Sequence, residues 1–298
     1  MLGFVCEACG GDMKVHRTGE LVCPYCGVKN FFTDKQLAEY KEYRLRMLEY
    51  LSAVAEDRVT SAGAEAVWNN ARTITFQDAE GDDITIQYLY HTKEKGVDMY
   101  SARNNVIYIY PVLKTEQADK AIRAFSRLAF PQADMKGLGR CFPKLAGDYK
   151  LKNGSRMLVY SKEEDFYPLG LFGDLIPEHV EWMISRLENI ACVLLYNEME
   201  HGGINKDSVF INPKTHEAAL LGGWENAHTG VSSSEPDLKA IRQVAGEMLG
   251  DGYKKAPKPL IRFIESKPAS IAYEDFANWD KVIETQLGGR HFTKFEME

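Results

Sequence analysis

The residue types able to do chemistry gather at the amino end. Four of the six cysteines appear there, as Cys6-Glu-Ala-Cys9-Gly-Gly and Cys23-Pro-Tyr-Cys26-Gly. Two Cys-x-x-Cys pairs separated by thirteen residues have the spacing of a four-thiolate zinc site. Both sulfurs of a pair must converge on one metal at about 2.3 Å, and the knuckle that permits this favours a glycine just after the second cysteine. Gly10 and Gly27 occupy those places. A unit of about 32 residues cannot bury enough apolar area to fold alone. Zinc, worth about 10–16 kcal/mol at structural sites, supplies the missing stability. The expected ligands of one structural Zn²⁺ are therefore Cys6, Cys9, Cys23 and Cys26, with His16 left at the surface. Cys141 and Cys192 stand apart from the cluster, and both are expected to be buried core thiols.

The segments that must carry and follow this module change character along the chain. Residues 1–32 read as the zinc ribbon and 33–70 as a helical connector. Within the connector, Leu37, Tyr40, Met47, Leu48, Leu51 and Ala55 share one helical face, and Thr33 is placed to cap it. Residues 71–166 are β-rich, with strands expected at Thr73–Phe76, Ile84–Tyr90 and Val106–Tyr110. A polar stretch that includes Lys93 to Asp98 separates the last two. The acidic cluster Asp78, Glu80, Asp82 and Asp83 fits no calcium loop and reads as a solvated hairpin turn. A helix follows from about Glu116 to Ala129, then a strand pair ending in Ser155–Ser161, then an extended stretch Glu163–Leu169. Residues 167–298 are mainly helical, interrupted by a short hairpin between Val209 and Leu221.

Composition bounds what such a chain can do. Its 298 residues carry 36 Lys and Arg against 43 Asp and Glu, a net charge of −7, which disfavours wholesale coating of nucleic acid. Hydrophobic content of 45% and charged content of 27% are those of a globular protein. The longest strongly apolar run, Ile190–Tyr196, is far short of the roughly 20 residues that cross a bilayer. No basic stretch followed by an apolar one precedes Cys6, so no secretory leader and a cytoplasmic setting are expected.

A second set of residues with chemical meaning lies in the helical half. A long apolar helix, Trp182–Glu200, runs directly into His201-Gly202-Gly203-Ile204-Asn205-Lys206-Asp207-Ser208-Val209-Phe210-Ile211. This resembles the catalytic loop H-R-D-L-x-x-x-N of protein kinases and the hairpin after it. Leu220-Leu221-Gly222-Gly223-Trp224 falls where the D-F-G segment belongs, and Asp237-Leu238 with Ala245–Leu249 resembles the buried helix that organises the kinase helical lobe. The chain is also similar to a degenerate kinase-like group of bacteria and phages that places a zinc ribbon before the lobes. The matching motifs are Trp182-Met183-Ile184-Ser185-Arg186-Leu187, His201-Gly202, Pro213-Lys214-Thr215-His216 and the tail Gly288-Gly289-Arg290-His291-Phe292-Thr293-Lys294-Phe295. The resemblance implies an α+β chain: a zinc ribbon followed by a bilobal kinase-like domain with a β-rich N-lobe and an α-helical C-lobe.

Phosphoryl transfer in that fold needs a catalytic Asp, a loop Asn and a D-F-G Asp on the metal, and a strand Lys paired with a helix Glu. Carried onto this sequence, the first three positions hold Gly203, Ser208 and Gly223, or Gly222 if the last register slips by one. Val106–Tyr110 contains no lysine, Lys114 lies past Pro111, and Lys120 or Ala121 stands at the glutamate position, with Glu116 too early. The segment expected to cover phosphates, Gln77–Asp83, has only Gly81 among carboxylates. Asp98 and Asp207 read as solvated loop residues and His201 as scaffold. The framework side chains expected to persist are Trp182, Leu187, Leu194, Leu195, Phe210, Leu249 and Phe263. The implied function is that of a pseudokinase that binds a protein partner as an adaptor or regulator, with no catalytic residue and no nucleotide cofactor. Two alternatives stay open. One is a nucleic-acid-binding regulator using the ribbon and a basic face of Lys14, Arg17, Lys35, Lys41, Arg44 and Arg46. The other is an enzyme with non-standard nucleotide chemistry.

Overall fold

Two short antiparallel hairpins open the chain in a computed structural model that describes all residues except 1–3, 7, 9–11, 14–19, 24–25, 57–58, 60, 132–134, 292 and 296–298. Strand β1 (Phe4–Val5) pairs with β2 (Asp12–Met13), and β3 (Glu20–Val22) with β4 (Lys29–Phe31). Helix α1 (Asp34–Ala55) follows, and Thr33 caps it as expected. The Gln36 backbone N–H donates to Thr33 Oγ1 at 3.3 Å while the Thr33 N–H donates to Gln36 Oε1 at 2.8 Å, a reciprocal capping box. On the expected inward face Met47 and Leu51 are buried, and Leu37, Tyr40, Leu48 and Ala55 are half-buried; Tyr50 and Val54 join them. On the outer face Lys35 pairs with Glu39 and Arg46 with Glu42, each at 3.9 Å, so the cations there are interleaved with carboxylates. Lys14 and Arg17 lie outside the described residues. A second helix, α2 (Ser61–Asn69), completes the connector.

Chain contacts gather into two units. The first is Met1–Ala53, Arg58–Ala118 and Lys144–Glu164; the second is Val54–Asp57, Asp119–Pro143 and Asp165–Glu298. In the first unit β5 (Arg72–Gln77) and β6 (Asp83–Tyr88) form a hairpin of their own. Its turn is the predicted acidic one: Asp78 Oδ1 accepts the Gly81 and Asp82 backbone N–H groups, both at 2.8 Å. The strands β7 (Tyr90–Glu94), β8 (Val97–Ser101), β9 (Asn105–Tyr110), β10 (Lys144–Lys150) and β11 (Arg156–Ser161) form one antiparallel sheet in the order β10-β11-β9-β8-β7. Helix α3 (Thr115–Phe125) lies between β9 and β10 in sequence.

The hairpin covers one face of that sheet. Register places Tyr100 opposite Ile107, and Ile109 opposite Met157. These four share a core cluster with Ile86 and Tyr88 of β6, against which Tyr43, Ile74 and Phe76 pack. Tyr88 and Phe76 meet Tyr100 edge-on with ring centroids 5.0 and 6.1 Å apart, the arrangement that aromatic quadrupoles favour. The Tyr43 hydroxyl donates to the Leu89 carbonyl, fixing α1 against the same layer.

This corrects part of the strand assignment made from the sequence. Thr73–Phe76 and Ile84–Tyr90 were expected to be sheet strands separated from Val106–Tyr110 by a polar connector. The connector region is itself β7 and β8, joined by a tight turn with Lys95 at φ 47° and Gly96 at φ 82°. The physical reason is an edge strand whose buried positions are Tyr90 and Thr92, so its alternation is hidden among His91, Lys93 and Glu94. The segment Gln77–Asp83 is accordingly the turn of the covering hairpin and does not join two strands of the sheet.

The second unit is built on α4 (Pro177–Tyr196), which Pro177 starts with a pre-set φ. Helix α4 packs against α5 (Glu235–Leu249) and α7 (Ala272–Gln286), while α6 (Lys258–Glu265) lies against α5 and α7. Strand β12 (Tyr167–Pro168) pairs with β14 (Val209–Asn212), which pairs with β15 (Glu217–Leu220); β13 (Met199–Glu200) pairs with β16 (His228–Thr229). Leu187, Leu194, Phe210, Leu249 and Phe263 are buried, as are Cys141 and Cys192, whereas Trp182 and Leu195 are half-buried. A buried ion pair locks α5 to α7: Arg242 donates to both Asp275 carboxylate oxygens at 2.9 and 2.7 Å and lies 4.3 Å over the Phe263 ring. Among the described residues no helix is long and apolar enough to cross a membrane.

Candidate metal centre and candidate catalytic loop

The two halves of the cysteine pattern meet. The ligand atoms of Cys6, Cys23 and Cys26 all lie within 4.8 Å of one another, with Cys6 and Cys23 buried and Cys26 exposed. Local backbone chemistry makes the second knuckle. The Gly27 N–H donates to the Cys23 carbonyl at 2.9 Å, the Cys23 N–H to the Val28 carbonyl at 2.9 Å, and Gly27 takes φ 72° at the turn. The Cys6 and Cys26 sulfurs are 3.6 Å apart, too far for a disulfide of about 2.05 Å. Metal–sulfur bonds of about 2.3 Å in a tetrahedron give sulfur–sulfur edges of about 3.8 Å, so the trio fits a thiolate-bound metal ion. Asn30, buried behind them, directs Nδ2 at the Cys6 sulfur at 3.6 Å. Met13 shares the cysteines' core, with Phe32, Leu37 and Tyr40 packed on it, so the centre is continuous with the start of α1. Cys9, the fourth expected ligand, and His16 lie outside the described residues.

In the second unit the loop after α4 is held by a carboxylate that sequence reasoning quoted as part of a motif without assigning it a task. Asp237, in the first turn of α5 and buried, accepts the backbone N–H of His201 at 2.7 Å and of Gly202 at 2.9 Å. Burial pushes its carboxyl up to about 6, and those two amide hydrogen bonds act in the opposite direction. The sequence signal for this role is an acidic residue at a helix start, within the Asp237-Leu238 motif. His201 is fully buried, and burial pushes its imidazole down to about 3, so it is neutral near pH 7. Its ring accepts the Gly203 N–H at Nδ1 (3.2 Å) and meets Trp224 edge-on with centroids 4.8 Å apart. Phe125 and Phe142 pack edge-on to the same indole at 6.2 and 6.0 Å. The result is an aromatic column standing on Asp237.

Gly203 and Gly223, which the sequence reading set at the two aspartate positions, are in mutual contact. A Cβ placed on Gly203 would lie 2.8 Å from the Gly223 carbonyl oxygen, 3.2 Å from Gly223 Cα and 2.8 Å from Asn226 Nδ2. A Cβ on Gly223 would lie 2.7 Å from the Gly203 carbonyl oxygen and 3.0 Å from the His201 ring, and Gly223 has φ 76°. Asn226 seals the approach by donating its backbone N–H and its Nδ2 to the Gly223 carbonyl, both at 3.0 Å. Ser208 is occupied with its own turn: its Oγ accepts the Asn205 N–H at 2.8 Å and donates to the Asn205 carbonyl at 3.1 Å. The Asn205 side-chain oxygen accepts the N–H groups of Asp207 and Ser208 at 2.8 and 2.9 Å. Asp98 lies in the first unit, bound by His91 at 2.9 Å and Lys93 at 3.0 Å. Tyr108 and Tyr110, both buried, stand on β9 where a strand lysine was sought.

No protein-family model matches the chain, and no curated protein matches it. Among solved structures it is similar to a rhoptry antigen kinase domain of Toxoplasma gondii, at 11% identity over 76% of this chain and 91% of that one, with a TM-score of 0.46. It is similar also to the kinase PK-1 of Cydia pomonella granulovirus, at 14% identity over 76% and 98% of the two chains with a TM-score of 0.41. A third likeness is to the PAN3 pseudokinase of Drosophila melanogaster, at 12% identity over 72% and 66% with a TM-score of 0.43.

Proposed function

We propose that the chain is a zinc-ribbon pseudokinase: a kinase-like fold without phosphotransferase activity that acts by binding a protein partner, as an adaptor or regulator. Support comes from the order of elements, which runs a covering hairpin, three antiparallel sheet strands, one helix, a strand pair, an extended link and a helical unit holding one hairpin. The single observation that carries the reading is the backbone contact between Gly203 and Gly223. A kinase seats its divalent cations and accepts the substrate proton with carboxylates, and the transferred phosphoryl group needs that charge neutralised. Here the backbone itself fills the room that those side chains would take. The retained parts are the ones that fix shape: Asp237 on the loop amides, and the column of His201, Trp224, Phe125 and Phe142.

The ribbon's role in this reading is a structural Zn²⁺ held by Cys6, Cys9, Cys23 and Cys26. Its thiolates would complete a core that includes Met13 and the start of α1. The test is ligand-induced stabilisation of the full-length protein. With millimolar ATP and either Mg²⁺ or Mn²⁺ the melting temperature is expected to stay unchanged, and radiolabelled ATP to give no transfer to the protein or to generic acceptors. A metal-dependent rise of several degrees, together with transfer abolished by substituting Asp207, overturns the reading.

A further inference from the structure

Three sequence motifs have no part in the loop described above, and the structure brings them to one place. Trp182 and Arg186 come from α4, His216 from the turn between β14 and β15, and Phe295 from the tail. The His179 and Phe295 rings are stacked at 4.3 Å with planes 3° apart, and the Trp182 and His216 rings at 4.8 Å and 8°. Phe172 closes the end of the slot edge-on to Phe295 at 5.5 Å. Trp182 Nε1–H donates to His179 Nδ1 at 3.3 Å, and Arg186 Nε–H donates to the His216 carbonyl at 2.9 Å. Phe295 is thereby 2% exposed although it is the last of the described residues.

His216 shows that the slot is built at a cost. It has φ 53°, a left-handed conformation that glycine adopts freely and a residue with a Cβ adopts at some cost. Asn212 holds this turn, its side-chain oxygen accepting the N–H groups of Lys214 and Thr215 at 3.0 and 3.2 Å. A glycine would serve the turn better; the ring serves the slot. The tail is also secured ahead of its aromatic anchor by two ion pairs. Arg290 pairs with Asp280 of α7, and Lys294 pairs with Glu56, just past the end of α1, at 3.7 Å. His291 lies in the field of Glu181, whose carboxyl burial and the neighbouring Glu178 push up to about 7 and which His291 draws back down.

We propose that the segment after α7 is a latch, with Phe295 the internal ligand of an aromatic slot formed by Phe172, His179, Trp182 and His216. The slot takes a peptide carrying a cation followed by an aromatic residue, and its occupant in the folded chain is the chain's own Lys294-Phe295. This does not depend on the pseudokinase reading. It assigns the Trp182–Leu187, Pro213–His216 and Gly288–Phe295 motifs a single task, binding the segment after α7.

The test supplies the tail in trans. A chain ending at Gly289 is expected to melt about 6–15 °C below the full-length protein, from the loss of one buried Phe and its neighbours. Titrating a peptide of residues 288–298 should restore part of that loss and change indole fluorescence saturably. The same peptide carrying Phe295→Ala should do neither, and Trp182→Phe in the protein should remove the fluorescence change. A second variant keeps the idea testable if the shortened chain does not fold. His216→Gly relieves the backbone strain and deletes the ring, so it should fold while amide exchange at 293–295 accelerates at least tenfold. Unchanged tail exchange in His216→Gly, or a shortened chain that melts like the full-length protein and ignores the peptide, overturns the proposal.

Discussion

A carboxylate placed at residue 203 should damage the fold without conferring phosphoryl transfer. In Gly203→Asp the new Cβ meets the Gly223 carbonyl oxygen at 2.8 Å and Gly223 Cα at 3.2 Å, both backbone atoms that cannot swing aside. Gly223 cannot retreat cheaply, because its carbonyl accepts two hydrogen bonds from Asn226. Overpacking of this kind costs about 1–3 kcal/mol, and each hydrogen bond sacrificed to relieve it adds about 0.5–1.5 kcal/mol. A total of about 2–4 kcal/mol lowers the melting temperature of a unit of this size by about 4–16 °C. The control is Gly252→Asp, where nothing lies within 4 Å of the added Cβ and φ is not positive; it should melt within about 2 °C of the parent. Differential scanning fluorimetry with and without ATP and Mg²⁺ reads both effects. The reasoning fails if Gly203→Asp melts like the Gly252→Asp control, and it fails more deeply if the variant gains metal-dependent stabilisation by ATP.

Two further outcomes follow from the metal centre and from the buried imidazoles. Cys23→Ser, or treatment with a zinc chelator, should remove the metal proposed for the ribbon and accelerate amide exchange in β3, β4 and the first turns of α1, while exchange in α4 and α5 stays unchanged; uniform loss of protection, or none, contradicts the separate role proposed for the ribbon. On acidification His201 contributes a loss: it is held at about 3 against 6.5 when unfolded, so the unfolded chain takes up a proton first, and the contribution present above about pH 6.5 is lost as pH falls toward 3. His216, which burial and Arg186 also push down, acts in the same direction, whereas Asp237, Glu181 and Glu188, whose carboxyls burial raises to about 6, 7 and 9, protonate first in the folded state and act in the opposite one. Between pH 7 and pH 4 the urea midpoint of His201→Asn should therefore fall less, or rise more, than the parent's; parallel profiles remove His201 as the cause.

Much of the second unit was legible because its signals are local. The apolar period of α4 can be read directly, and the buried Leu187 and Leu194 follow from it, but the helix stops at Tyr196, and Met199–Glu200, expected to be its last residues, form β13 because they pair with His228–Thr229. The cysteine knuckles were legible for the same reason, since turn chemistry and ligand spacing are short-range. What sequence could not show is pairing at a distance. Strand β7 hides its alternation because its buried members are Tyr90 and Thr92, and only tertiary contact with β8 makes it a strand. The covering role of β5 and β6 is equally invisible, because Ile74, Phe76, Ile84 and Ile86 would look the same within a sheet or above one. The Gly203–Gly223 contact unites residues twenty apart, and from sequence each was only the place where an aspartate was missing.

Asp237 holds the loop after α4 in one form. A carboxylate nearly removed from water is expensive unless paired, and its hydrogen-bond partners among the described residues are the two amides of His201 and Gly202. Apolar burial alone would favour leucine or methionine at that place. What the carboxylate supplies is direction: it fixes the His201 and Gly202 amides, and with them the φ of 66° at Gly202, whose backbone faces solvent. In an enzyme that rigidity would aim a base at residue 203. Here residue 203 has no side chain to aim, so the rigidity acts on the backbone surface of the loop itself. A partner that reads this surface should lose affinity when Asp237→Asn weakens the anchoring, even where the variant's melting temperature shows the second unit still folded.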